Sequence, residues 1–349
     1  MIKPKNLLIV RTDRIGDVVL SLPLASIIKK HLPDCKITFL VRQYTKALVV
    51  NHPFIDNIIL LDEKNGKISL ASNIKKISNN NFDSAVIVYP TFVTALIIFL
   101  SRIKNRIGTG YRWYSFLFNQ KIYEHRKYAE KHELEYNINL LTKFGIKEEV
   151  NQGNIRFDLV PDSESLKKIE KILSDSEINT DEPLIIIHPG SGGSSVDLPQ
   201  EKFKLLTEKI ANELTENIIL TGSPSEKELC ENLKVKSGIL NLVGKLNLSE
   251  LIALINKSSI FIGNSTGPIH IAAALGKYTI GFYPRIPACS EQRWGPYTNK
   301  KIIFSPKIKC SSCTRKQCTI LDCMNSIEVN DIFFETEKIY KFIQADWRK

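Results

Sequence analysis

An apolar run, Ile260-Phe261-Ile262, leads into Gly263-Asn264-Ser265-Thr266-Gly267-Pro268-Ile269-His270 and then Ile271-Ala272-Ala273-Ala274-Leu275-Gly276. The run reads as a short buried strand. The small polar residues after it, with glycine at both ends, read as a tight turn, and the alanines are good helix formers. A strand passing through a tight turn into a helix is the unit from which parallel α/β sheets are built. It also points free backbone N–H groups and a helix dipole into one crevice, which suits an anion such as a diphosphate. His270 falls in the first helical turn, where it adds a donor or a charge. A plain strand-to-helix connection capped by Ser or Thr fits the same residues.

The rest of the chain repeats the alternation. Residues 6–11 read as a first buried strand and 12–17 (T-D-R-I-G-D) as the turn after it. Residues 18–30 are apolar-rich and helical, interrupted by Pro23. Further strands are expected at 36–41, 57–61, 82–89, 184–188 and 217–221. Residues 132–141 space Leu134, Ile138 and Leu141 helically, with Gly145 as a stop. Residues 333–347 form an amphipathic terminal helix. Strands alternating with helices imply doubly wound, mostly parallel sheets, with chemistry beyond the carboxyl ends of the strands. The 349 residues allow two domains, and the polar stretch 158–181 is the expected linkage.

Asn264-Ser-Thr-Gly-Pro-x-His270 with its Ala-rich helix resembles the donor-site motif of the ADP-heptose:lipopolysaccharide heptosyltransferase family, glycosyltransferase family 9. R-T-D-R-I-G-D-V-V-L-S-L-P (residues 11–23) resembles the N-terminal motif of the same family. The resemblance covers nearly the whole chain. It implies an α/β GT-B fold, with two Rossmann-like doubly wound domains facing each other across a cleft. Residues 1–165 would hold the acceptor, 166–330 the nucleotide sugar, and the helix in 331–349 would pack back towards the N-terminal domain.

The resemblance also implies roles. Asp17 matches the proposed general base, which takes the proton of the acceptor hydroxyl; a carboxylate there could instead compensate the helix dipole. Asp13 is the reserve candidate, otherwise a cap or a partner of Arg11 or Arg14. The Gly/Ser-rich loop 189–195, with Ser191 and Gly192, resembles a second phosphate-contacting loop. Glu226 matches a ribose-contacting carboxylate, and Leu246 an apolar support for adenine; an N-terminal helix charge and a core leucine are the plainer readings. Ser265, Thr266, Gly267 and His270 complete the donor set. Three positions depart from the family pattern. Val196 stands where a lysine is thought to contact the donor phosphates, so Arg285 or Arg293 is the expected substitute. Ser265 stands where many members have Asp. Leu198 replaces a usual Trp.

Lys and Arg number 48 against 37 Asp and Glu, a net charge of +11, which favours polyanionic partners. Residues 102–128 are the most basic and aromatic stretch, broken by Gly108-Thr109-Gly110. Arg112 and Arg126, with Arg14, are the expected acceptor contacts. An ordinary solvated loop fits these residues as well. No recognised nucleic-acid module accompanies them, so nucleic acid is not an expected partner. The expected partners are a nucleotide-sugar donor, the lipopolysaccharide core or a lipid-linked glycan, and the inner membrane surface as a peripheral contact. The longest apolar window, residues 92–100, is too short to span a bilayer, and no secretory signal is visible, so a cytoplasmic location is expected. No cofactor is expected. Cys310, Cys313, Cys318 and Cys323 (C-x2-C-x4-C-x4-C) could hold a structural metal, or be free thiols or a labile disulfide. The rival function is a non-catalytic glycolipid- or nucleic-acid-binding protein on the same fold. A nicotinamide-dependent dehydrogenase is disfavoured, since no dinucleotide fingerprint opens the first domain.

Overall fold

Runs of Leu, Ile and Val with no polar alternation need burial on both faces, and parallel strands provide it. In the computed structural model, which describes residues 2–231, 233, 235–236, 238–308 and 314–347, these runs become two six-stranded sheets. The chain divides into two units, residues 1–160 and 161–349. The division falls five residues before the expected boundary, because Asp162 already caps the helix Ser163–Asp175 by accepting from the Ser165 N–H at 2.9 Å.

The first unit contains β1 (Asn6–Val10), β2 (Lys36–Val41), β3 (Asn57–Leu60), β4 (Ser84–Ile87), β5 (Asn105–Thr109) and β6 (Gln120–Ile122). They are parallel throughout, in the order β3-β2-β1-β4-β5-β6. A small antiparallel hairpin pairs Glu63–Lys64 with Lys67–Ile68. Leu7, Leu8, Ile9 and Val10 are all fully buried. After β1 the helix Ile15–Val19 is short; the chain re-enters helix at Pro23–His31, with Pro23 in the first turn, where its missing N–H costs nothing.

The basic, aromatic stretch is more ordered than its composition suggests. Gly108-Thr109 does not break it but ends β5, and β6 follows as the sheet edge. Gly108 is needed because a Cβ there would lie 2.9 Å from the Phe118 ring. Tyr114, Leu117 and Phe118 fill the core beneath, whereas Trp113 and Phe116 remain exposed.

The second unit repeats the plan with β7 (Ile185–His188), β8 (Ile218–Leu220), β9 (Leu240–Asn241), β10 (Ile260–Asn264), β11 (Tyr278–Phe282) and β12 (Lys301–Phe304). Its order is β9-β8-β7-β10-β11-β12, again wholly parallel. Both sheets therefore have the 3-2-1-4-5-6 order of dinucleotide-binding folds, whose direction reverses between the first and fourth strands. The terminal helix Val329–Trp347 spends Ile332, Phe333, Ile339, Tyr340 and Ile343 on the second unit's own core. There it meets the helix Gln200–Glu213, which presents Phe203, Leu206 and Ile210. Among the described residues no helix is long and apolar enough to cross a membrane.

Candidate functional site

At the reversal point of the first sheet, β1 delivers Arg11 into the interior with none of its surface exposed. A buried guanidinium must be paired. Its Nε lies 2.7 Å from Asp13 Oδ1, Nη2 donates to Asp17 Oδ1, and Nη1 stands 3.7 Å from Glu133 Oε1. The exposed Tyr89, just beyond β4, carries its ring 5.9 Å from the guanidinium carbon. Burial opposes the charge on Arg11, but the three carboxylates outweigh it and hold the group above its ordinary value. One cation cannot satisfy three acids equally. Burial pushes Asp13 up, the Arg11 charge pulls it back and Asp17 pushes again, leaving it at about 7. Asp17 is partly exposed, and its Oδ2 has no hydrogen-bond partner among the described residues.

Asn137 braces this cluster from the helix Glu133–Asn139, donating to the Leu20 carbonyl at 3.1 Å and the Ser21 hydroxyl at 3.3 Å. Ser21 in turn donates to the Asp17 carbonyl at 2.8 Å. Of the three arginines expected to meet an acceptor, Arg14 and Arg112 are exposed. Arg126 is otherwise engaged: it pairs with the buried Glu133 and donates to Asn137 Oδ1 at 3.2 Å. It is a brace of the Arg11 cluster, a role invisible in a sequence that separates Arg11 and Asn137 by 126 residues.

In the second unit the expected donor residues leave four neighbouring strands. Leu246 follows β9, Glu226 follows β8, Ser191 and Gly192 follow β7, and Ser265, Thr266, Gly267 and His270 follow β10. The turns touch: Gly244 donates its N–H to the Gly222 carbonyl at 3.0 Å, and its φ of +67° lets its Cα close on Pro224. Glu226 lies against Gly190, where an added Cβ would fall 1.7 Å from its carboxylate. It accepts from the Ser223 N–H at 2.7 Å, the Ser223 hydroxyl at 2.8 Å and the Gly192 N–H at 3.3 Å. Burial resists its ionisation, but these donors and His188 outweigh that and hold it below its ordinary value.

Asn264, fully buried at the end of β10, joins the two central loops. Its Nδ2 donates to the Pro189 carbonyl at 2.5 Å, and its Oδ1 accepts from the Leu198 N–H at 2.9 Å. Ser194 adds a bond from its hydroxyl to the Ser265 carbonyl at 2.8 Å. Thr266 is the N-cap of the helix Gly267–Ala274 but its side chain makes no capping bond, and Pro268 lies in the first turn. Ser191, Ser265, Thr266 and His270 are all buried. His188 donates to or accepts from Thr221 Oγ1 at 3.0 Å; burial pushes it down to about 4, so it stays neutral.

Val196 is partly buried and packs on the cluster of Ile286, Cys318 and Cys323. Of the two arginines expected as substitutes, Arg293 lies over the Trp294 ring at 5.0 Å, and Arg285 is exposed. Arg315 reaches the loop, donating to the Gly193 carbonyl at 3.0 Å and to the Ser194 carbonyl. Sequence reading missed it because 122 residues separate it from Gly193. Cys318 and Cys323 are buried, whereas Cys310 and Cys313 lie outside the described residues. Among the described residues no three His, Cys, Asp or Glu side chains are grouped to hold a metal.

The model of glycosyltransferase family 9 (heptosyltransferase) matches residues 70–323. The lipopolysaccharide heptosyltransferase 1 of Campylobacter coli is 26% identical over 346 residues, covering 95% of this chain and 98% of its own. The glycosyl transferase family 9 structure from Veillonella parvula has a TM-score of 0.82 at 18% identity, covering 96% of this chain and 97% of its own. The Escherichia coli heptosyltransferase WaaC with ADP has a TM-score of 0.72 at 16% identity, covering 96% and 99%. These likenesses extend across both units, and the structural ones establish the fold.

Proposed function

The chain belongs to glycosyltransferase family 9, the heptosyltransferases, and on that premise we propose that it moves a heptose or related sugar from ADP-heptose, or a similar nucleotide sugar, to the lipopolysaccharide core or a related glycan. The observation that carries this reading is the row of loops on the second sheet. From β9 to β10 the sheet lines up Leu246, Glu226, the 189–195 loop and the 265–270 turn, the order in which a base, ribose and diphosphate would lie in this reading. Strands lie ~4.8 Å apart, so four span ~14 Å, the reach of an extended nucleoside diphosphate. Ionised Glu226 is an acceptor suited to ribose hydroxyls. The WaaC relative in this family was solved with ADP, which supports the same choice of nucleotide.

The reaction proposed is a single displacement with inversion. The acceptor hydroxyl oxygen attacks the anomeric carbon while Asp17 Oδ2 takes its proton. The bond from that carbon to the diphosphate oxygen breaks, and ADP leaves with the electron pair. Thr266, His270 and the loop N–H groups would stabilise the charge on the leaving group. The sugar nucleotide is a substrate, and we assign no cofactor. Arg14 and Arg112 would meet the anionic acceptor. Between Asp83 and Glu124 the chain has five basic residues and no acid, with Trp113, Phe116 and Phe99 exposed among them. That composition suits a phosphorylated glycolipid at an anionic membrane surface.

The test is Asp17→Asn. Turnover with ADP-heptose and a heptose-acceptor glycolipid should fall about 100-fold or more, with ADP affinity nearly intact. Near wild-type turnover would remove Asp17 from the mechanism and leave Asp13 to be tried as the base.

A further inference from the structure

Arg315 belongs to none of the motifs that define the donor row. It opens the helix Arg315–Ile320, held by the Thr314 cap. From there its guanidinium spans to the Gly193 and Ser194 carbonyls, and its Nε and Nη2 lie 3.3 and 3.2 Å from Cys289 Sγ. The loop it holds contains two successive left-handed residues, Gly192 at φ +56° and Gly193 at φ +72°, both exposed with open space beside their Cα atoms. Such a turn separates carbonyls from amides and makes a concavity for an anion. Arg315 takes the carbonyls. The Gly193 N–H has no partner among the described residues.

An anion at this loop would meet two acids. Glu226 accepts from the Gly192 N–H, and Asp197 is half-buried beside Ser191. A diphosphate needs a countercharge there, and Val196 supplies none. Lys202, the nearest lysine along the chain, is committed to the Ile327 carbonyl at 2.8 Å. We propose that Arg315 is the countercharge of the diphosphate site: it fixes the 191–195 loop through its carbonyls and offsets Asp197 and Glu226, so that a nucleoside diphosphate is accepted. Arg315 is a positioning residue in this account, acting on the ligand through the loop. The inference rests on the reading of the second unit as the nucleotide site.

Calorimetry with ADP and with adenosine, on the full chain and on Arg315→Ala, Arg315→Gln and Arg315→Lys, tests it. The Ala and Gln variants should bind ADP about tenfold more weakly or worse, the loss expected for a charge-assisted interaction, while adenosine affinity stays within about twofold. Arg315→Lys should recover part of the ADP affinity, and the gap between wild type and Gln should narrow at high salt. Gln keeps two donors for the loop, so it carries the test if the Ala variant does not fold. ADP binding unchanged in Ala and Gln, or ADP and adenosine weakened equally, would overturn the proposal. If the wild-type chain binds neither ligand, the nucleotide site itself is misassigned and this inference falls with it.

Discussion

Asp13→Asn probes the charge balance around the candidate base. Arg11 faces Asp13, Asp17 and Glu133, and Arg126 shares Glu133, so two cations serve three acids. Burial, then the charge of Asp17, raise Asp13 from 3.8 to about 7 against the pull of Arg11. The native state therefore keeps a proton that the unfolded chain has released. The stability this gives is complete below about pH 4 and is lost as pH rises through about 7. At 1.36 kcal/mol per pKa unit the full effect would be about 4 kcal/mol. Partial exposure of the side chain and the sharing of Arg11 reduce the expectation to about 1–2 kcal/mol. Asparagine has the shape of the protonated acid and does not titrate. The variant should match wild type near pH 4 and exceed its stability by about 1–2 kcal/mol at pH 8. His188, in the other unit, has the opposite sign: burial lowers it to about 4, so its contribution is lost as pH falls below about 6.5. The substitution leaves that term untouched, so the difference between the two proteins is the quantity to read. Urea unfolding of both at each pH from 4 to 8, followed by circular dichroism, measures it. A difference that stays constant across this range would refute the shared-guanidinium account.

Three further substitutions separate structural from functional cations and apolar from polar positions. Arg126→Glu sets a second carboxylate against the buried Glu133 and should cost about 3–5 kcal/mol in urea unfolding, whereas the exposed Arg112→Glu should stay within about 0.5 kcal/mol. The Arg112 variant should instead raise the KM for the acceptor, with the effect fading in salt; equal destabilisation by the two would show that Arg126 does not brace Glu133. Val196→Lys pushes an ammonium into the contact with Ile286, Cys318 and Cys323, and should lower stability by about 1–3 kcal/mol without tightening ADP. Tighter ADP binding by that variant, measured by calorimetry, would mean that position 196 does face the diphosphate.

The sequence by itself determined the α/β class, most strands and the turns that follow them. Runs such as Leu7 to Val10 and Ile260 to Ile262 have no polar face, so they must be interior strands. Gly190, Gly263 and the 192–193 pair mark where backbone must come close or turn left-handed. These are effects within a few residues, and local chemistry fixes them. Resemblance of the 11–23 and 264–270 stretches brought the family into view. Tertiary structure decided everything that depends on which distant segments meet. The adjacency of Leu246, Glu226, the 189–195 loop and the 265–270 turn comes from the sheet order reversing at β7, which no single turn encodes. The segment around Gly108 reads as a break until Phe118 closes over it. Val196 reads as a lost lysine until it is seen to pack on Ile286, Cys318 and Cys323. Arg126 reads as an acceptor contact until Glu133 claims it, and Arg315 stands in no motif until the Gly193 and Ser194 carbonyls claim it. A lone charge declares little about its partner, because Coulomb attraction acts through space, and only the folded chain sets those distances.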